Sequence, residues 1–127
     1  AGMVENRGAE LGRTAEEIAK QRAQYAQSGL AVAVIGCPRP SEKIPQIEQT
    51  LSAGAACLQL LNAALAAGWG ANWLTGWAVH DPAFAAQGLG LAPGEWVAGL
   101  VHIGTETAAP PDRPRPDLDA IVTWDAA

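Results

Sequence analysis

Charge is scarce in this chain. Asp, Glu, Lys and Arg make up 17% of its 127 residues, against about 25% in typical soluble domains. With 49% hydrophobic residues, that deficit predicts an extensive apolar face hidden against a partner. Basic residues are the scarcer sign: 8 Lys and Arg stand against 13 Asp and Glu, for a net charge of −5. No Lys/Arg cluster is dense enough to follow a phosphate backbone, which disfavours nucleic-acid binding. Cysteine is limited to Cys37 and Cys57. They have neither metal-ligand spacing nor the look of a disulfide framework, and both read as core or near-core thiols. Of the two histidines, His80 and His102, neither has a Cys or second His at ligand spacing, so no metal site is expected.

Nucleophile and phosphate motifs are missing too. There is no G-x-S-x-G elbow, no G-x-G-x-x-G after a strand and no P-loop. Glu16-Glu17 and the Asp pairs read as caps and solvated charge, not as paired catalytic carboxylates. Leu51 to Leu65 carries no charge, but it is shorter than the roughly 20 residues that span a bilayer. Gln59 and Asn62 also interrupt it. No signal peptide begins the sequence. A soluble cytoplasmic protein is expected, with a single domain over residues 1–127.

What the chain does have is organised around Ile47–Ala67. Ile47, Leu51, Gly54/Ala55, Leu58, Leu61 and Leu65 recur in steps of three and four, the period of a helix face. The other faces are nearly as apolar, with Ala53, Ala56, Cys57, Leu60, Ala63, Ala64 and Ala67. Such a helix is buried on more than one side. The small residues from Ser52 to Ala56 would let a second backbone approach, and that neighbour is readily another copy of the chain.

Taken in order, Ala1 to Gly12 is polar and without clear periodicity. Thr14-Ala15-Glu16-Glu17 is a capping box that should start a helix from Ala15 to about Gln27. Ile18, Ala19, Arg22 and Tyr25 fall on its packed side. Leu30 to Ile35 suits a strand covered on both faces. Pro45 fits the first turn of the central helix, which Gly68 and Gly70 close. Ala71 to Trp77 reads as a strand. Asp81-Pro82 is an N-cap followed by proline at the first helical position, and a short helix runs to about Gln87. Glu95 to Ile103 reads as the last strand. Beyond Glu106, Pro110, Pro111, Pro114 and Pro116 impose an extended path. Leu118, Ile121, Val122 and Trp124 follow, and should dock on this subunit or across a dimer.

Several of these pieces, in this order, resemble the later part of a small FMN-dependent nitroreductase of the short YdjA-like branch. They are Lys43-Ile44-Pro45, Glu48-Gln49, Ser52 to Ala56, Gly68 to Trp73, Thr75-Gly76, Gly88 to Leu91 and His102-Ile103-Gly104-Thr105. The resemblance runs from about Arg22 to the C-terminus. It implies an α+β fold: a mainly antiparallel sheet flanked by helices, with the long buried helix at the centre and an extended C-terminal arm. It also implies a homodimer with FMN at the subunit interface. NAD(P)H would reduce the flavin and leave, and a nitro compound or quinone would then take the electrons.

By the same resemblance, Trp73, Leu74, Thr75 and Gly76 lie along the flavin, with Leu74 where the branch can carry arginine. Ala64 matches a position associated with the nicotinamide cofactor. Arg113 or Arg115 would sit near the FMN phosphate. Complete members also begin with an Arg-Arg-Ser segment for the phosphate. Nothing before Arg22 matches it, and Arg7 and Arg13 read as isolated, so the domain is expected to be truncated at its N-terminus. The rival expectations are a non-catalytic flavin-binding or dimerisation module, and another FMN enzyme on the same fold, such as a reductive dehalogenase. Flavin chemistry needs no side-chain nucleophile, which agrees with the missing motifs.

Overall fold

The computed structural model describes residues 2–125. The elements run α1 (Gly2–Glu10), α2 (Ala15–Ala26), β1 (Leu30–Gly36), α3 (Gln46–Ala66), β2 (Gly70–Leu74), α4 (Trp77–His80), α5 (Pro82–Gly88), β3 (Trp96–Gly104) and α6 (Leu118–Ile121). Three strands form one antiparallel sheet in the order β1-β3-β2. The expected α+β architecture is therefore present: an antiparallel sheet flanked by helices, with α3 the longest of them.

β3 is in the middle because it can be covered on both faces. Val97, Gly99, Leu100 and Val101 are all buried. On one face, alternation turns Gly99 and Val101 toward α3, which contributes the fully buried Cys57. On the other, Val79, Val97 and Leu100 pack with Tyr25, Ile35, Leu89 and Leu91. The β1–β3 register slips between Val34 and Ile35, which pair with Gly99 and Val97. Ala98 is left over as a bulge, which bends the strand locally.

Local signals set most boundaries. Thr14 Oγ1 accepts from Glu17 N, and the Glu17 carboxylate accepts from Thr14 N at 2.8 Å, closing the capping box. Asp81 caps α5 by accepting from Phe84 N at 2.9 Å. α3 ends in a Schellman motif: Gly68 N donates to Leu65 O and Trp69 N to Ala64 O, both at 3.0 Å. Gly68 at φ +83° supplies the left-handed residue that motif needs.

Several expectations need correction. β1 is an edge strand with Leu30, Ala31 and Ala33 exposed, not a strand covered on both faces. The stretch without periodicity holds α1, a nine-residue helix. Its buried Val4 packs with Ala78 and Phe84, and a Cβ at Gly8 would lie 2.5 Å from Ile18 Cγ1. In α2, Ile18 and Tyr25 do pack inward, but Ala19 and Arg22 are exposed and Gln21 is buried. Trp77 does not extend a strand: β2 stops at Leu74 and Trp77 opens α4. Cys37 is exposed rather than near-core. Its thiol donates to Glu95 Oε1 at 3.4 Å, and that contact pushes its pKa up.

The long helix is buried on one side only within a single chain. Cys57 and Ala64 face inward, whereas Ile47, Leu51, Leu58 and Leu65 are 62%, 66%, 48% and 49% exposed. The arm likewise stays off its own subunit, with residues 105–125 all exposed. The prolines keep 105–117 free of helix and strand, and the single turn α6 forms only after Pro116, capped by Asp117. Among the described residues, no helix is long and apolar enough to cross a membrane.

Candidate functional site

β2 is an edge strand, so half of its backbone donors and acceptors face away from β3. Leu74 and Thr75 are exposed there. Trp73 is about as exposed as Leu74, yet part of its ring reaches inward. An ideal Cβ at Gly99 would lie 2.0 Å from its Nε1, and one at Gly54 3.9 Å from its Cη2. The indole therefore fills a slot that two glycines open between the sheet and α3. After Gly76 the chain turns at once into α4.

That turn is held from behind by the two N-terminal helices. A Cβ on Gly76 would lie 2.0 Å from Gln21 Oε1, and Gln21 is only 4% exposed. The Arg13 guanidinium lies 5.7 Å from the Trp77 ring centroid, in cation–π range. Arg7 donates Nε to Asp81 Oδ2 at 2.8 Å and Nη2 to Asp81 Oδ1 at 2.7 Å. It also pairs with Glu10. The Arg7 hydrogen bonds hold the buried Asp81 carboxyl below the usual carboxylate range, and Asp81 in turn raises the Arg7 pKa. Arg7 and Arg13 are thus not isolated; they tie the N-terminal helices to α4 and α5.

Of the other expected site residues, Ala64 is buried in the helix–sheet layer and its carbonyl is taken by Trp69 N. Arg113 and Arg115 are exposed in the arm. Arg115 lies 4.0 Å from Asp112, and Arg113 N donates to Asp112 Oδ1. The single chain therefore brings Trp73, Leu74, Thr75 and Gly76 together by sequence and strand. It brings neither arm arginine into polar contact with them. Gln21, Arg7 and Arg13 behind the turn carried no local sequence signal: each is one polar residue in a polar helix or loop.

A concavity opens along the N-terminal half of α3, where Ser52, Ala53 and Ala56 flank Gly54. A cleft of about 260 Å³ is lined by Ile35, Cys37, Gln49, Thr50, Ala53 and Trp96, among others. Gln49 organises the loop beside it, accepting from Arg39 N at 2.8 Å and donating to Arg39 O at 2.9 Å and Ile44 O at 3.2 Å. Among the described residues, no group of His, Cys, Asp and Glu is placed to hold a metal ion.

Comparison with known proteins agrees with this fold. The nitroreductase-like family protein from Bacillus cereus superposes with a TM-score of 0.67 at 24% identity, over 87% of this chain and 60% of that one. A protein described as a nitroreductase, from Exiguobacterium sibiricum 255-15 and solved in complex with FMN, superposes with a TM-score of 0.55 at 19% identity. That match covers 98% of this chain and 54% of the other. The chain thus spans less than two thirds of the length of either. Among curated proteins no match is found. The family model described as Nitroreductase family matches residues 5–105. That match starts upstream of Arg22, so it takes in most of α1 and all of α2, and it stops before the arm. By that match, which covers most of its length, the chain belongs to the nitroreductase family.

Proposed function

We propose that this chain belongs to an FMN-dependent oxidoreductase that works as a homodimer. One observation carries the reading. The Trp73–Gly76 segment lies on an open sheet edge next to the exposed apolar stripe of α3. Exposed apolar patches of that kind mark interaction sites. Two copies joined through the stripe would enclose the segment and exclude water from it.

The segment suits the edge of a flavin ring. The free backbone groups of β2 offer donors and acceptors in a row, and Thr75 adds a hydroxyl. Phosphate is a different matter, because Arg13 beside the segment is engaged with Trp77 and Glu17. The reading assigns the phosphate to Arg113 and Arg115, delivered by an arm that docks when the dimer forms. Bound FMN supplies two-electron transfer between NAD(P)H and an electron-poor acceptor such as a nitro compound or quinone. The chain's own residues bind, orient and keep the site dry, with Leu74 giving an apolar wall.

The test is the visible absorption spectrum of the purified full chain, before and after adding FMN, followed by NAD(P)H. Flavin bands that travel with the protein on gel filtration and bleach with NAD(P)H are expected. A protein that stays colourless after added FMN overturns the reading and leaves a non-catalytic dimerisation module in its place.

A further inference from the structure

Gly76 has no conformational reason to be glycine. Its φ of −165° and ψ of 173° are extended values that any residue adopts. The reason is space: an ideal Cβ there would meet Gln21 Oε1 at 2.0 Å, and Cδ and Nε2 at 2.7 Å. The Gln21 amide is not free to drift. It is buried in the middle of α2, and its Nε2 donates to Gln24 Oε1 at 3.0 Å. Gln24 Nε2 lies in turn 3.4 Å from His102 Nε2 on β3. Burial lowers the His102 pKa, and the imidazole tautomer sets which of the two groups donates. A polar chain thus runs from the middle strand, through two amides, to the back of Gly76.

We propose that Gln21 is the positioning residue for the Thr75–Gly76 turn, which it sets against the flavin from the side away from it. The inference rests on the reading that this segment contacts the flavin. A buried glutamine in a polar helix has little to gain from packing alone, since its amide costs free energy unless it is hydrogen-bonded. Here the Gln24–His102 chain holds the amide, and the amide occupies the volume that fixes where Gly76 lies. Thr75, one residue away and exposed, moves with it.

A double-mutant cycle in the full chain tests this, with Gln21→Ala, Gly76→Ala and both together. FMN affinity and the flavin absorption band are the readouts, and thermal melts serve as the control. Gly76→Ala is expected to weaken FMN binding by about tenfold. Adding Gln21→Ala should restore most of that loss, because the new methyl then enters the space the amide leaves. Gln21→Ala alone should shift the flavin band at nearly unchanged Tm, and the volume-conserving Gln21→Met should shift it less.

Additive losses, or a Gln21→Ala protein with wild-type affinity and band, overturn the inference. If wild-type protein takes up no FMN, the cofactor reading fails by itself. The near-UV circular dichroism of Trp73 and Trp77, on either side of the turn, then carries the same cycle, and additivity there overturns the positioning role separately.

Discussion

Replacing Leu51 with glutamate should split the proposed dimer. Leu51 is 66% exposed on α3, in line with Ile47, Leu58 and Leu65. Fully burying a leucine is worth about 1.5–3 kcal/mol, so covering what each residue still exposes is worth about 1–2 kcal/mol. A twofold axis uses every residue twice, which brings the four to the order of 10 kcal/mol. That is comparable to the roughly 4–15 kcal/mol that association costs in lost freedom. Such a dimer has no large surplus. Removing Leu51 from both copies forfeits about 2–4 kcal/mol, or roughly 30- to 1,000-fold in Kd. Two unpaired carboxylates in the seam add to the loss. Light scattering on gel filtration, over a concentration series, measures this directly. The wild type should run as a dimer at the concentrated end of the series and Leu51→Glu as a monomer throughout. Leu11→Glu, 45% exposed in the turn after α1, should remain dimeric. A monomeric wild type, or a Leu51→Glu dimer of unchanged Kd, refutes the reasoning.

Three other outcomes follow from the geometry. Gly99→Ala should cost about 1–3 kcal/mol, because its methyl would lie 2.0 Å from Trp73 Nε1; urea unfolding should show Trp73→Ala removing most of the added penalty. Asp81 has a folded-state pKa below its ordinary value of 3.8, so its contribution is complete above that value and is lost as pH falls through the folded pKa. Urea melts from pH 6 down to about 3 should therefore show a steeper acid loss in the wild type than in Asp81→Asn, and identical slopes would refute the assignment. Thr14→Ala should lower stability by about 1 kcal/mol through loss of the cap, while Thr50→Ala, exposed in its side-chain bond to Gln46 O, should change stability far less in the same denaturation series.

The parts legible in the sequence were those whose cause is local. Thr14 with Glu17, and Asp81 with Pro82, announce their helices because a cap and its acceptor lie within three residues. The α3 stripe was legible because helical period is a local property. The direction it faces was only half legible: the sequence shows that an apolar face exists, not which neighbour covers it. α1 escaped because its stability comes from Arg7 meeting Asp81, 74 positions away, and from Gly8 against Ile18. Trp77 reads as strand because Gly-Trp continues an apolar run. Its helix is fixed by Arg13, Gly8 and Ile18 packing around the indole, none of which a local window contains. At the site, Trp73 to Gly76 stood out through resemblance, whereas the buried Gln21 behind them looked like surface.

The strand order has a kinetic consequence. β3 comes last among the described strands, and within these residues β1 and β2 pair only with it. Until residue 96 leaves the ribosome, no ladder can close, and the apolar α3 has no sheet beneath it. Closing β1 onto β3 brings together Leu30 and Ile103, a long loop whose entropy must be met before contacts compensate it. Folding should therefore be late and nearly all-or-none, with an aggregation-prone nascent stage that favours chaperone capture. A chain stopped at Glu95 is expected to show helical circular dichroism without a cooperative melt; a sharp transition in that fragment would rule out this order of events.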